Sequence, residues 1–166
     1  MEPRVTSPRC TSFPPVWRAD AEMLILGSMP GVESLRQQQY YAFKYNAFWR
    51  IMGELFHFDH TLPYPERLEC LRKSRVALWD TLQYCEREGS LDSDIQNATP
   101  NDIPWLLEQC PHIRRIFCNG SAAATHFRRN FPQLTPKMTQ LPSTSPAAAR
   151  LNYHQKFSAW KQAICP

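Results

Sequence analysis

The residues in this sequence whose types and spacing suit chemistry are mostly neutral. Asn46, in the run Asn46-Ala47-Phe48-Trp49, carries an amide that can orient a water molecule and stabilise developing charge by hydrogen bonding, though it is a poor base. It also directly precedes a segment of helical periodicity, where an Asn serves as an N-cap. Both roles stay open, and neither excludes the other. Asn119 stands before Gly120, and a carboxamide there can accept from a ring N–H while donating to the adjacent carbonyl oxygen. The same pair is also a common turn. Tyr41 offers a flat ring that can stack on a heterocycle or pack half-buried. Ser143, Thr144 and Ser145 supply hydroxyls and backbone N–H groups suited to phosphate, followed by the small apolar Pro146 and Ala147 and by the cation Arg150. A plain Ser/Pro turn is the alternative. Gly27, Pro30 and Gly31, with Ser28 and Met29 between them, shape a loop where missing side chains allow close approach to the backbone.

Most of these residues fall where short apolar runs end. Met23 to Leu26 is a continuous apolar run closed by Gly27, as expected of a strand buried on both faces. Val76 to Trp79, Ile113 to Cys118 and Met138 to Leu141 fit the same description. Between them lie helical segments. Ala47 to Phe56 repeats apolar residues at Phe48, Ile51, Met52 and Leu55, and Pro65 starts a second helix through Leu68 and Leu71. Asp102 is placed to cap a third, and 121–131 and 154–164 complete the set. Such alternation predicts an α/β fold: three layers, α/β/α, around a short, mostly parallel sheet of about four strands. Open parallel sheets bind ligands beyond the carboxyl ends of their strands. Function is therefore expected in the loops 27–31, from Asp80 onward, 119–121 and 142–150.

The totals set the class. A chain of 166 residues with 43% hydrophobic composition suits one compact domain. Residues 1–20, with Pro3, Pro8, Pro14 and Pro15, read as an irregular leader, and 21–166 as the folded domain. No apolar run approaches the roughly 18 to 20 residues that span a bilayer, and Met1 to Pro15 lacks the apolar core of a signal peptide. A soluble, cytoplasmic protein is expected. Six scattered cysteines without a Cys-x-x-Cys unit point to buried thiols in a reducing compartment rather than to a metal or iron–sulfur site. The net charge of +4 permits a polyanionic partner without demanding one.

Four stretches together carry a resemblance. LILGSMPGVESLRQQQYYAFKYNAFWRIM at 24–52, IFCNGSAAA at 116–124 and LPSTSPAAAR at 141–150 resemble the first motif, the base-recognition strand and the DNA-clamping loop of the uracil-DNA glycosylase superfamily. ALWDTLQYCEREGSLDSDI at 77–95 is similar to its hypoxanthine (deoxyinosine) branch. The resemblance implies a monofunctional DNA glycosylase, acting as a monomer on DNA containing a deaminated base, with no metal and no organic cofactor. Such an enzyme extrudes the nucleotide, grips the flipped base and stabilises an oxocarbenium-like sugar while water attacks.

Carried over residue by residue, the resemblance makes Asn46 the catalytic residue. Tyr41 becomes the ring that stacks on the base and Asn119 the amide that reads it, with Gly27, Ser28 and Met29 lining the base pocket. Pro30, Gly31, Ser143, Thr144, Ser145, Pro146, Ala147 and Arg150 contact DNA, Pro146 and Ala147 as a wedge and Arg150 on a phosphate. The chain departs from the pattern twice. Met29 stands where many members place an Asp or Asn to position water, and the loop at 142–150 lacks the His that many carry. These departures leave open a catalytically silent nucleic-acid-binding module of the same fold. A hydrolase of free nucleosides is a third reading, disfavoured by the Ser/Pro loop, which a free nucleoside gives no phosphate to hold. Lys44, two residues before Asn46, would support strand-cutting Schiff-base chemistry only with a lowered pKa. Asp92 and Asp94 are read as loop or capping residues, with a reserve role as catalytic base.

Overall fold

The structure, a computed structural model, describes residues 8–165. The first seven residues of the expected leader, Pro3 among them, and Pro166 lie outside the described residues. In chain order the elements are β1 (Arg9–Thr11), β2 (Met23–Gly27), α1 (Val32–Gln37), α2 (Phe48–Phe56), α3 (Tyr64–Lys73), β3 (Val76–Asp80) and β4 (Leu82–Glu86). A 3-10 turn (Asp92–Asp94) leads to β5 (Gln96–Pro100), α4 (Ile103–Gln109), β6 (Arg115–Asn119), α5 (Ser121–Asn130), a second 3-10 turn (Pro132–Lys137), β7 (Met138–Leu141) and α6 (Tyr153–Ile164).

The spine is a four-stranded parallel sheet in the order β3-β2-β6-β7, as the alternation of apolar runs and helices predicts. In β2, Met23 and Ile25 face one helical layer and Leu24 and Leu26 the other, which is why the strand reads as unbroken apolar sequence. The first layer packs α2, α3 and α6 through Ile51, Met52, Leu71 and Trp160. The second packs α4 and α5 through Ile103, Leu106, Ala123 and Phe127. Leu24, Ile25 and Leu26 are fully buried, worth about 1.5–3 kcal/mol each, so β2 holds both layers and fixes where its last residue lies. Asp102 caps α4 by accepting from the Trp105 N–H, and a capping box of Asn152 and Gln155 starts α6.

A second, antiparallel sheet of order β1-β4-β5 was not legible in the sequence. Its strand β5 is polar and mostly exposed, held by cross-strand pairing rather than by a buried face. The leader is likewise less irregular than its prolines suggest. Arg9–Thr11 pairs with β4, Val16 bridges to Leu78, and Phe13 and Val16 join the core. Pro8, Pro14 and Pro15 lie outside the paired positions, so none of them removes a ladder donor. All six cysteines are free thiols, four of them buried. Among the described residues no helix is long and apolar enough to cross a membrane.

Candidate active site

Three neighbouring strands deliver three residues to one edge of the sheet. β2 ends in Gly27, which is in register with Asp80 at the end of β3, and β6 on the other side ends in Asn119. A cavity of about 460 Å³ opens above them. The loop from Gly27 to Gly31 lines it, as do Tyr41, Asn46, Asn119 and the segment Ser143 to Ala147. Thirteen of the fourteen residues expected from sequence thus meet in one place. Arg150 does not: it is exposed and lies outside the cavity lining.

On the floor, backbone geometry makes the room. A Cβ at Gly27 would stand 2.5 Å from Asp80 Oδ1 and 2.8 Å from the Tyr41 hydroxyl, so any larger residue must displace these side-chain ends. Tyr41 adopts a left-handed backbone, φ 54°, that turns its ring to stack on Phe48 with centroids 4.0 Å apart. The Tyr41 hydroxyl is buried without a partner. Burial, then the nearby Asp80 charge, holds this phenol far above the ordinary range, so it stays neutral.

Asp80 was not among the residues singled out from sequence. It is 3% exposed, and its Oδ2 is buried with no hydrogen-bond partner. Burial first and the Asp92 carboxylate second push its pKa up to about 7, against a smaller opposing pull from Arg87. Asn101 Nδ2 donates to the Asp80 backbone carbonyl at 2.8 Å, fixing the residue but not its carboxyl. Behind the first loop, the buried Arg87 guanidinium donates to the Pro30 carbonyl. Ser28 Oγ donates to Asp92 at 2.6 Å, tying the loop to the 3-10 turn. Asp92 lines the cavity and Asp94 does not.

Asn46 faces two ways. Its Oδ1 accepts from the Phe48 N–H at 3.0 Å, satisfying one of the orphan donors at the start of α2, while its Nδ2 makes no hydrogen bond among the described residues. The cap position itself belongs to Ala47, whose N–H donates to the Thr144 carbonyl at 3.0 Å. Opposite, Asn119 and Thr144 are locked together. Asn119 Nδ2 donates to Thr144 Oγ1 and Asn119 Oδ1 accepts from the Thr144 N–H, both at 3.0 Å. Thr144 is 1% exposed, so it braces the loop rather than meeting solvent. Ser143 packs over Gly120, and Ser145 Oγ accepts from the Ala147 N–H.

Lys156, also missed from sequence, donates to the Ser145 carbonyl at 2.9 Å, and burial lowers its pKa. The available signal was its i, i+4, i+8 alignment with Trp160 and Ile164, the buried stripe of α6. A second groove shares Tyr41, Asn46 and Thr144 with the cavity and is lined by Lys44, Arg50, His60, Arg67 and Lys156, with no Asp or Glu. Arg50 lies over the Tyr153 ring at 3.7 Å and Arg67 over Trp49 at 4.7 Å, so two cations are held in place. Lys44 lines this groove and not the cavity. Among the described residues, no three His, Cys, Asp or Glu side chains are grouped to hold a metal ion.

Comparison with known proteins gives a consistent result. The family model of the uracil DNA glycosylase superfamily matches residues 14–166. Two curated relatives, both named hypoxanthine DNA glycosylase, come from Methanosarcina barkeri and Methanosarcina acetivorans. The first is 32% identical over 153 residues, 92% of this chain and 96% of the relative. The second is 36% identical over 150 residues, 90% and 94%. A solution NMR structure of a candidate uracil DNA glycosylase from Methanosarcina acetivorans superposes with a TM-score of 0.82 at 35% identity, covering 95% of this chain and 96% of that one.

Proposed function

The chain belongs to the uracil DNA glycosylase superfamily, and from that premise we propose that it hydrolyses the N-glycosidic bond of a deaminated base in DNA, with hypoxanthine as its first substrate. The observation that carries this reading is the single cavity at the sheet edge into which the Gly27 loop, Tyr41, Asn46, Asn119 and the Ser143 to Ala147 loop all converge. An extruded base enters between Tyr41, whose far face is already braced by Phe48, and the Gly27 to Met29 wall. Asn119 keeps a second amide proton and a second lone pair beyond its bonds to Thr144, enough to read a ring N–H and its neighbouring carbonyl. Asn46 presents its Nδ2 and the remaining lone pair of Oδ1 to the sugar and to the attacking water, stabilising charge that develops only in the transition state.

Ser143 and Ser145 hold the flanking phosphates and Pro146 and Ala147 fill the gap in the stack, with the buried Thr144 bracing the loop behind them, and the basic groove beside the cavity carries the strand onward. Gly31 and Arg150 contact DNA at the edges of this surface, while Pro30, expected there too, is buried with its carbonyl held by Arg87 and shapes the loop instead. The working form is a monomer, because one chain supplies every wall of the cavity, and its free thiols suit the reducing cytoplasm. The test is release of base from otherwise identical duplexes carrying inosine, uracil or xanthine, followed by alkaline strand scission. Hypoxanthine release is expected to be fastest; no scission with any of the three would overturn the reading.

A further inference from the structure

The floor of the cavity holds a group the scheme above does not use. Asp80 Oδ2 and the Tyr41 hydroxyl are both buried without partners, and the other carboxyl oxygen, Asp80 Oδ1, converges with the Tyr41 hydroxyl on the bare Cα of Gly27. Buried polar atoms are almost always paired, and an ionised carboxylate without a cation or donors is costly to bury. Asp80 makes no ion pair among the described residues. Both residues line the ligand cavity, so their unsatisfied polar groups mark a place where a ligand's own polar atoms can complete the set.

We propose that Asp80 is the acid of the reaction: its neutral carboxyl donates a hydrogen bond to a ring nitrogen of the extruded base and passes its proton there as the glycosidic bond breaks. The step balances. The C1′–N bond breaks with its electron pair going to the base, the Asp80 proton neutralises that base, and water adds to C1′. The proton lost by the water returns to the Asp80 carboxylate. The inference rests on the proposed function and supplies what the neutral Asn46 cannot, since an amide neither gives nor takes a proton at useful rates.

The surroundings favour the proton's presence near neutral pH. Asp92 on the 3-10 turn faces Asp80 and favours the neutral form, and Arg87 after β4 opposes it more weakly. Tyr40 and Tyr41 ahead of α2 and Tyr64 on α3 also face it; their phenols are held above the ordinary range and stay uncharged. With a carboxyl that titrates at about 7, the acid form dominates below that pH and is lost above it.

The deciding experiment is the pH profile of single-turnover excision from an inosine duplex by the wild type and by Asp80→Asn. Asn is isosteric with the neutral acid, so folding is preserved, but it carries no transferable proton. The wild-type rate should be level below neutrality and fall about tenfold per pH unit above it, while Asp80→Asn should be slower by roughly a hundredfold or more and lack that falling limb. A variant that keeps the wild-type rate, or keeps the limb at a reduced rate, overturns the assignment, because a positioning role would not move the titration. Failure of the wild type to release any base overturns the proposed function itself, a separate outcome.

Discussion

The floor and the loop wall of the cavity treat their polar atoms in opposite ways. On the floor, Asp80 Oδ2 and the Tyr41 hydroxyl are buried with no partner. On the wall, Asn119 and Thr144 satisfy each other twice, Lys156 holds the Ser145 carbonyl and Trp160 Nε1 holds that of Pro142. A paired buried group contributes to the stability of the fold, whereas an unpaired one weakens it until a ligand arrives. The wall is therefore a rigid frame and the floor a recognition surface. Substitutions on the wall should lower stability and activity together, and those on the floor should change activity with little loss of stability.

Asn46 tests this division most sharply, because it belongs to both sides. Its oxygen accepts from the first N–H of α2, one residue ahead of the cap position, and its Nδ2 is unpartnered among the described residues. Asn46→Ala should cut single-turnover excision by about 10²–10³-fold with duplex binding nearly intact, the size of loss seen when one transition-state donor is removed. If the residue only caps the helix, unfolding stability should fall by about 1 kcal/mol with near-normal turnover. Asn46→Asp separates the two further, since Asp caps equally well but brings a charge and a better base. Should Asn46→Ala turn over normally, the catalytic assignment is wrong.

Gly27→Ala attacks the floor directly. The new Cβ would meet Asp80 Oδ1 and the Tyr41 hydroxyl at contact distances no real Cβ tolerates, displacing both. Excision should drop by about a hundredfold, the penalty of roughly 1 Å of misplacement at a reacting centre, while affinity for the flanking duplex is retained. Unchanged kinetics in this variant would mean that the floor is not where the base sits.

Asn119→Ala is the matching test of the wall. It leaves the Thr144 N–H buried without a partner, at about 1–3 kcal/mol, so thermal stability must fall. If Asn119 reads the base as proposed, excision should also weaken by about tenfold and unequally for hypoxanthine and uracil. Equal losses on the two bases would leave Asn119 as a brace alone.

The same contrast explains what could be read from the sequence. Three strands of the parallel sheet, β2, β3 and β6, were legible because burial on both faces leaves an unbroken apolar run, whereas the edge strand β7, with Thr139 and Gln140 exposed, was marked only by Met138 and Leu141. The strand ends pointed to the right loops. Asn46, Tyr41 and Asn119 stood out by type and place. Asp80 did not, although it closes the apolar run Val76 to Trp79, because lacking a partner is a property of three-dimensional surroundings. Lys156 hid within a helix pattern for a related reason: its aliphatic stem sits in a buried stripe while its amine reaches a carbonyl 11 residues away in sequence. In the β1-β4-β5 sheet, β5 left no hydrophobic trace, and the buried Cys10, Leu82 and Cys85 of the other two strands are too few to form an apolar run.

Arg150 lies outside both regions and should give the smallest effect. It is exposed beyond the cavity lining, at the end of the loop whose earlier residues form the wall, so any contact it makes is with flanking backbone rather than with the flipped nucleotide. A cation that holds one phosphate releases about one counterion on binding, and Arg150→Ala should therefore lower the slope of log K against log[salt] by about one unit on double-stranded DNA. Single-turnover excision at saturating enzyme should stay near normal, because Arg150 does not line the cavity. Arg50→Ala in the groove is the internal comparison: it should lower the slope similarly, since that side chain is already held over Tyr153. An unchanged slope for Arg150→Ala beside a reduced one for Arg50→Ala would remove Arg150 from the DNA contacts and place the strand along the groove alone.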